Sequence, residues 1–352
     1  MISKNLFYIL LYTIIFIFLF IKICETKSIY YNPIETYVNN TKKNSIIQNT
    51  QNKHIIINFS NKEFGKKMYS NNYLKTMNKL NINLRGFKSK KELYDFYLNN
   101  SLINITEEEE EIFRYMIIKL LKKINNMVIY NFIKRYLIKI TIVKSNNKLE
   151  SGMPHTHNKT IIFPQSYFNS IKHKYNLNFM ESMLENEGLT FIHEILHIHQ
   201  RLNKQKYLKM YNLWGFTKPS YINNMNEFNE RNRHNPDGLK VDWVWKNNNK
   251  YYLIGAIFNN NSISLTDTDY VAKEITRVDE NIFNNNIKDL IHLNKFNNFI
   301  NYFGINNNNY HPNEIASQYF EYYINQNFLK NYINIKNKGY LIFKKKILHI
   351  LN

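Results

Sequence analysis

The sequence predicts a mixed α/β (α+β) domain built around one buried helix. Two segments begin with a capping box and continue with apolar residues at helical spacing, and short runs rich in β-branched and aromatic residues lie around them. Residues 189–204 form an apolar stretch without Gly or Pro, which indicates a buried helix. With 352 residues, of which 44% are hydrophobic, the chain can bury a sizeable core.

The segment 1–28 is predicted to be a targeting segment. A short start containing Lys4 precedes the apolar run 6–21, whose length lies between a usual signal-peptide core and a full membrane span. We expect a signal peptide or an uncleaved signal anchor, and hence a secreted or membrane-anchored protein whose folded part is lumenal or extracellular. The only cysteine, Cys24, lies in this segment, which excludes disulfides and cysteine-based zinc or nucleophile chemistry from a mature chain.

The next residues, 29–53, are rich in Asn, Thr, Lys and Gln and show little periodicity, which indicates a low-complexity spacer or pro-region. We therefore expect one folded domain over 54–352. The formal net charge is +20, but the lysines are dispersed and no known nucleic-acid module is present. The sequence thus predicts no nucleic-acid partner.

Strands and helices are expected to follow one another after residue 54. Runs of β-branched and aromatic residues predict strands over 55–57, 137–143, 160–163, 241–245 and 251–258. Capping boxes begin at Ser89 and Thr106. Together with apolar periodicity they predict helices over about 91–100, 107–126, 189–204 and 207–216.

The central helix carries the sequence His-Glu-x-x-His, in which the named residues are His193, Glu194 and His197. Because residues four apart lie one turn from each other on one face of a helix, both imidazoles can reach a single metal ion. The carboxylate of Glu194 is offset beside them and can take a proton from a water held on the metal. The alternative is a coincidental pentapeptide, but a buried helix with three histidines and a carboxylate is costly unless those groups are paired or bind metal.

This helix resembles the active-site helix of the zincin metallopeptidases, whose signature is the same pentapeptide among uncharged residues. The metzincin extension would need Gly and His where this chain has Gln200 and Asn203, which argues against that subclass. His199 also stands where the longer zincin signature prefers an apolar residue. With the segments Asn-Pro-Asp-Gly at 235–238 and His-Pro-Asn-Glu at 311–314, the helix is similar to uncharacterised zincin-like proteins of protists and large DNA viruses.

The resemblance implies a zincin-like fold, with a small mixed sheet, an edge strand, the active-site helix and a mostly helical C-terminal lobe. The upstream lobe would cover about 54–204 and the downstream lobe about 205–352, with the cleft between them. In zincins an edge strand shortly before the active-site helix binds extended substrate, which implies that role for Thr160–Phe163. His155 and His157 precede this strand, where histidines are more often loop residues than ligands.

In the gluzincin branch of the zincins the third zinc ligand is a helical Glu downstream of the histidine pair, and Glu314 resembles it. Asn313 can cap the helix that Glu314 opens, and this helix is apolar enough to be buried, so its carboxylate must find a cation. A Glu in the first turn is also favoured by the helix dipole without any metal. Asp267 and Asp269 are the alternative ligands, although Asp in Thr-Asp-Thr-Asp is more often a turn or cap residue.

The function implied by the resemblance is zinc-dependent hydrolysis of peptide bonds, with a peptide or protein as the substrate. Glu194 would act as the general base. The zinc (Zn²⁺) ligands would be His193, His197 and Glu314. Candidates to stabilise the oxyanion are Arg233, His234, Tyr310 and His311. Gln318 could accept a hydrogen bond from a ligating imidazole.

Three other functions stay open on the sequence. The same site could hydrolyse another amide or an ester, since the pentapeptide does not specify the bond. The domain could be a non-catalytic, zinc-stabilised binding module, although a structural site has no use for Glu194 as a base. The chain could also be a basic secreted protein that binds acidic surfaces without metal. The oligomeric state is not predicted.

Overall fold

The structure, a computed structural model, describes most of the chain after the predicted spacer. The described residues are 55–64, 68, 72–237, 242–259, 261–285, 289–305, 309–329 and 335–352, and they belong to one compact unit, His54–Asn352. The predicted targeting segment 1–28 and the spacer 29–53 lie outside them. In this described part of the chain, no helix is long and apolar enough to cross a membrane.

The described chain is mixed α/β, as predicted, with helices packed around two mixed sheets. The strands are β1 (Asn58–Phe59), β2 (Leu102–Ile103), β3 (Thr141–Ser145), β4 (His155–His157), β5 (Thr160–Pro164), β6 (Phe216–Thr217), β7 (Tyr221–Asn223), β8 (Trp243–Asn247), β9 (Lys250–Phe258), β10 (Thr268–Asp279), β11 (Ile282–Asn284) and β12 (Ile291–His292). The helices are α1 (Asn72–Lys75), α2 (Lys79–Leu84), α3 (Lys90–Asn99), α4 (Glu107–Lys123), α5 (Met127–Leu137), α6 (Gln165–Asn176), α7 (Met180–Met183), α8 (Leu189–Leu202), α9 (Lys204–Leu213), α10 (Asn226–Arg231), α11 (Asn297–Phe303), α12 (Pro312–Ile324) and α13 (Lys338–Leu351).

Helices α3 and α4 begin where their capping residues predict. The Thr106 hydroxyl accepts from the Glu109 backbone N–H at 3.2 Å, and the Glu109 carboxylate accepts from the Thr106 N–H at 2.8 Å, which completes a capping box. Ser89 caps α3 through the Glu92 N–H at 3.1 Å, whereas the Glu92 carboxylate accepts from the Lys88 N–H instead. These local signals were sufficient because a cap needs only residues close in sequence.

The first sheet has the order β1-β3-β5-β4, with β2 paired to β3. Strand β5 lies between β3, to which it is parallel, and β4, to which it is antiparallel. The expectation that Thr160–Phe163 forms the edge strand is therefore wrong, since β4 occupies the edge. The reason is a tight turn in which Asn158 takes a left-handed φ of 54° and folds β4 back onto β5.

The second sheet lies in the downstream half of the chain, which corrects the expectation of a mostly helical lobe. It has seven strands in the order β6-β8-β9-β10-β11-β7, and β12 pairs with β10. The β8–β9 hairpin follows the predicted strands closely, with Asn247 opposite Lys250. Strand β10 was missed because its buried residues Val271, Ala272 and Lys273 are consecutive, so the alternation typical of a strand is lost.

Helices α8 and α12 share the largest apolar core of the described residues. From α8 this core takes Phe191, Ile195, Leu196 and Ile198, and from α12 it takes Ile315, Ala316, Tyr319 and Phe320. All of these side chains are at most 1% exposed. Because close-packed cores resist displacement, the polar side chains on the remaining faces of the two helices are held in a fixed relation.

A buried ion pair holds the tight turn Leu149–Gly152, which leads into β4. Glu150 and Ser151 both have a positive φ, 47° and 55°, which is unfavourable for residues other than glycine and must be held by surrounding contacts. The Glu150 carboxylate accepts from Arg85 Nε at 3.1 Å and Nη2 at 2.9 Å, and also from the Tyr73 hydroxyl at 2.8 Å. Arg85 and Glu150 side chains are only 1% and 2% exposed.

We expect Arg85→Met to destabilise the protein by about 3–5 kcal/mol, because Glu150 would remain buried without its cation. The double variant R85M/E150Q is expected to recover part of this loss, since it removes the uncompensated charge. Urea unfolding followed by tryptophan fluorescence measures both. The matched control is Lys172→Met, which breaks an exposed pair with Glu108 at 2.7 Å. This control should lower the free energy of unfolding by less than about 1 kcal/mol. A loss of the same size in R85M would contradict the prediction.

Candidate metal centre

Helix α8 presents the histidine pair as predicted. His193 and His197 lie one turn apart, with ring centroids 4.7 Å from each other and ring planes at 72°. Both residues are buried, at 8% and 2% exposure, so their polar edges need partners inside the protein. The apolar residues of α8 face the core and leave this pair on one face of the helix.

Glu314, in the first turn of α12, brings a carboxylate to both imidazoles. Its Oε2 lies 3.3 Å from His193 Nε2 and 3.5 Å from His197 Nε2. Burial by itself raises the pKa of Glu314, but the charges and hydrogen bonds of the two histidines outweigh burial and hold that pKa well below its usual range. One atom from each of the three residues lies within 4.8 Å of the others, so this group could hold a metal ion.

The start of α12 is fixed by His311. Its Nδ1 accepts from the Asn313 backbone N–H at 3.1 Å, and Pro312 occupies the first turn. The expected cap, Asn313, is therefore wrong, because the cap is His311 and the helix begins two residues earlier than expected. Burial lowers the pKa of His311 to about 3, which keeps the ring neutral and able to accept this hydrogen bond.

Outer partners hold each imidazole from behind. His193 Nδ1 lies 2.5 Å from Glu321 Oε1, and Gln318 donates to the other oxygen of Glu321 at 2.8 Å. Glu321, seven residues or about two full turns after Glu314 on α12, was not predicted, although this spacing places the two on one helix face. Gln318, which was expected beside a ligating imidazole, positions Glu321, the partner of His193. A carboxylate behind a histidine fixes its orientation and raises its basicity toward a metal.

His197 is held in a similar way by Gln200. The Gln200 Nε2 donates to the Asn313 carbonyl at 2.9 Å, which leaves its Oε1 to accept from His197 Nδ1 at 3.0 Å. This arrangement requires the proton of a neutral His197 to be on Nδ1 and frees Nε2 on the side of Glu314. Gln200, which argued against a metzincin, therefore has a positioning role in this chain.

Glu194 has an unpartnered buried oxygen in the same place. The residue is 4% exposed, and its Oε2 has no hydrogen-bond partner among the residues that the structure describes. Burial, together with the nearby charge of Asp237, raises the pKa of Glu194 to about 8, against the opposing effect of His193 and His197. A buried polar atom without a partner is rare and points to a missing ligand or water.

One cavity of about 260 Å³ is lined by the histidine pair and by Glu194, Glu314 and Glu321. Its walls come from Glu150 to His155, from α8, from the loop 233–237, from Tyr270 and from the start of α12. Both halves of the chain therefore contribute to it. The edge strand β4 reaches this cavity through His155, which is 2% exposed.

Asp237 connects the loop 233–237 to the edge strand, which the sequence did not predict. Its Oδ1 accepts from the Thr156 backbone N–H at 2.8 Å and also from the Thr156 hydroxyl. Arg201 of α8 lies 3.8 Å from the same carboxylate. One atom each of Glu194, His197 and Asp237 also lie within 4.8 Å of one another, so Asp237 extends the acidic side of the cavity.

The predicted oxyanion candidates occupy different places. Tyr310 lines the cavity, and its hydroxyl accepts from Asn235 Nδ2 at 3.0 Å. Arg233 lines the cavity as well. The structure does not bring His234 there, because its ring lies 3.3 Å from the Thr76 hydroxyl and lines a separate pocket. His311 is engaged as the helix cap.

The alternative ligands Asp267 and Asp269 are not brought to the histidine pair. Asp267 accepts from the backbone N–H groups of Ile263 and Ser264, both at 3.0 Å, and so closes its own turn. Asp269 lines a second cavity that contains none of the histidine ligands. Of the three carboxylates considered on the sequence, only Glu314 lies beside His193 and His197.

Comparisons with models of known protein families, with curated proteins and with solved structures gave no match for this chain. Its function must therefore be argued from the cavity itself. The cavity brings together a three-residue group able to hold a metal, outer partners for both imidazoles, and a buried carboxylate with a free oxygen.

Proposed function

We propose that the protein is a zinc-dependent metallopeptidase of the zincin type, with Glu194 as its general base. The observation that carries this proposal is the convergence of His193, His197 and Glu314 in the cavity that also holds the unpartnered Oε2 of Glu194. Three protein ligands of imidazole and carboxylate type are usual for a catalytic zinc. Magnesium and calcium prefer oxygen ligands alone, so this donor set fits zinc better than either.

The side chains around the cavity can carry the proton transfers of hydrolysis. When bound, zinc would supply a Lewis acid that polarises a carbonyl and makes water more acidic. Glu194 would take a proton from the attacking water at its free Oε2 and pass it to the leaving amine. Burial, which raises the pKa of Glu194, makes its carboxylate a stronger proton acceptor and favours the protonated form between these two transfers.

Tyr310 is the strongest candidate to stabilise the oxyanion. It lines the cavity two residues before α12 begins and four residues before Glu314. Burial raises the pKa of the Tyr310 hydroxyl well above its usual range, so the group keeps its proton. Because its oxygen accepts from Asn235, its own O–H is free to donate to a developing oxyanion.

Two features favour peptide hydrolysis over the alternatives. Edge strand β4 forms part of the cavity wall, and an extended peptide can pair with it once Asp237 releases the Thr156 N–H. The free carboxylate oxygen of Glu194 has no purpose in a zinc-stabilised binding module, where its burial would only cost stability. Hydrolysis of another amide or of an ester would use the same groups, and substrate assays separate these reactions.

We expect the purified protein to contain about one zinc per chain. Hydrolysis of casein or of a peptide library should be lost after treatment with a zinc chelator and restored by added zinc but not by magnesium. Elemental mass spectrometry and the two assays measure these outcomes. Hydrolysis that persists in metal-free protein would contradict the proposal, and zinc without hydrolysis of any peptide would favour a binding module.

A further inference from the structure

Arg233 lines the cavity, and two further arginines are paired with carboxylates of its wall. Arg85 lies 2.9 Å from Glu150, and Arg201 lies 3.8 Å from Asp237. Arg233 lines the cavity, but within the described part of the chain it has no carboxylate at salt-bridge distance. A guanidinium stays charged at any physiological pH, so Arg233 brings an uncompensated positive charge to the cavity.

The donors of Arg233 are also poorly satisfied. One Nη donates to the sulfur of Met153 at 3.1 Å, which is a weak acceptor, and the Tyr270 hydroxyl provides a second contact. Its Nε is buried and has no partner among the described residues. The backbone of Arg233 is nevertheless anchored, since its N–H donates to the Ala256 carbonyl of β9 at 3.0 Å. The guanidinium of Arg233 is therefore held in place, and its Nε–H has no acceptor among the described residues.

Arg233 is not paired with any carboxylate that lines the cavity, and all of these except Glu194 are held by other partners, Asp237 by Thr156 and Arg201. Glu150 is held by Arg85, Glu314 by both imidazoles, and Glu321 by His193. Burial of a charged group without a partner is costly, so such a group is expected to meet an anion that arrives with a ligand. The planar guanidinium matches a carboxylate, which it can bind through two parallel hydrogen bonds.

We propose that Arg233 binds a carboxylate of the substrate, so that the site selects peptides with an anionic group close to the bond that is cleaved. This inference rests on the proposed peptidase function and adds a substrate class to it. The carboxylate can belong to a Glu or Asp side chain or to the free C-terminus of a peptide, because both present the same chemistry to the guanidinium.

The test measures binding separately from hydrolysis. Two pairs of labelled peptides are used. The peptides of the first pair have an amidated C-terminus and differ only in carrying Glu or Gln at one position. The peptides of the second pair have no acidic residue and differ only in having a free or an amidated C-terminus. Their affinities are measured by fluorescence anisotropy in the non-cleaving E194Q protein, with and without Arg233→Gln. We expect Arg233→Gln to lower the affinity for the preferred carboxylate peptide about ten- to hundredfold. The affinity for the neutral peptide of the same pair should not change. The two peptide pairs show whether a side chain or a C-terminus supplies the carboxylate.

Two further variants separate recognition from folding. Arg233→Lys keeps the charge but not the paired hydrogen bonds, so part of the preference should remain. Arg277→Gln removes an exposed arginine outside the cavity and should change nothing. Circular dichroism reports whether each variant is folded, and the Arg233→Lys result stands if Arg233→Gln does not fold.

The outcomes distinguish this inference from the proposed function. The inference would be overturned if the E194Q protein with Arg233 intact bound charged and neutral peptides with equal affinity. It would also be overturned if Arg233→Gln lowered both affinities equally. A wild-type protein that cleaves a peptide library without preference for nearby carboxylates would also overturn it and leave the peptidase intact. Charge-dependent binding without cleavage of any peptide would support Arg233 as an anion subsite and refute the peptidase.

Discussion

Replacing Glu194 by Gln is expected to lower the rate of peptide hydrolysis by about two to four orders of magnitude while the zinc content stays unchanged. The reason is geometric. Glu194 is outside the group formed by His193, His197 and Glu314, and its Oε2 has no hydrogen-bond partner among the described residues, so the substitution removes the base and keeps the three candidate ligands. Gln has nearly the same volume but cannot accept a proton at neutral pH.

The measurement is kcat and KM on a cleaved peptide, together with zinc content by mass spectrometry. The matched control is Glu187→Gln, which alters another buried glutamate seven residues earlier that is paired with Lys174 at 2.8 Å, outside the cavity. This control should keep its kcat if it is folded. A turnover of Glu194→Gln equal to that of the wild type would refute the role of Glu194 as the base.

Replacing Glu314 by Ala is expected to weaken zinc binding by more than the roughly 10- to 100-fold that follows loss of an outer hydrogen-bond partner. The variant leaves only His193 and His197, whereas a catalytic zinc usually has three protein ligands. Glu321→Gln provides the lower reference, since Glu321 contacts His193 only on the side away from Glu314. Competition with a chromophoric chelator measures all of these affinities.

Asp267→Ala is the control for this prediction. Asp267 was the competing ligand on the sequence, but its carboxylate closes a surface turn through Ile263 and Ser264. Zinc affinity should therefore stay at the wild-type value in this variant. Loss of zinc in Asp267→Ala with full retention in Glu314→Ala would reverse the assignment of the third ligand.

The parts of this site that sequence could predict are those set by local geometry. A spacing of four residues in a helix places His193 and His197 on one face whatever surrounds them. Glu314 was found at a distance because it resembles the third ligand of the gluzincins and because a carboxylate in a buried helix needs a cation, and neither argument depends on the separation along the chain. The mixed α/β character also followed from local signals.

The parts that sequence could not predict depend on tertiary contacts. Neighbouring residues Arg233 and His234 face different pockets, and no local pattern distinguishes the two directions in an irregular loop. Asp237 meets Thr156 only because the chain brings the loop back across the first sheet. The prediction of the edge strand was wrong by one strand, because β4 folds back onto β5 through the tight turn at Asn158.

The contact between Asp237 and β4 has a consequence for solubility and for access. An uncovered strand edge is a template for pairing with other chains and therefore promotes aggregation. In this three-residue strand the outward N–H of Thr156 is already taken by the Asp237 carboxylate, and Arg201 lies against the same pair. The edge is thus masked by the protein itself. An extended peptide that pairs with β4 must first displace Asp237, whereas a second copy of the chain meets no open edge there.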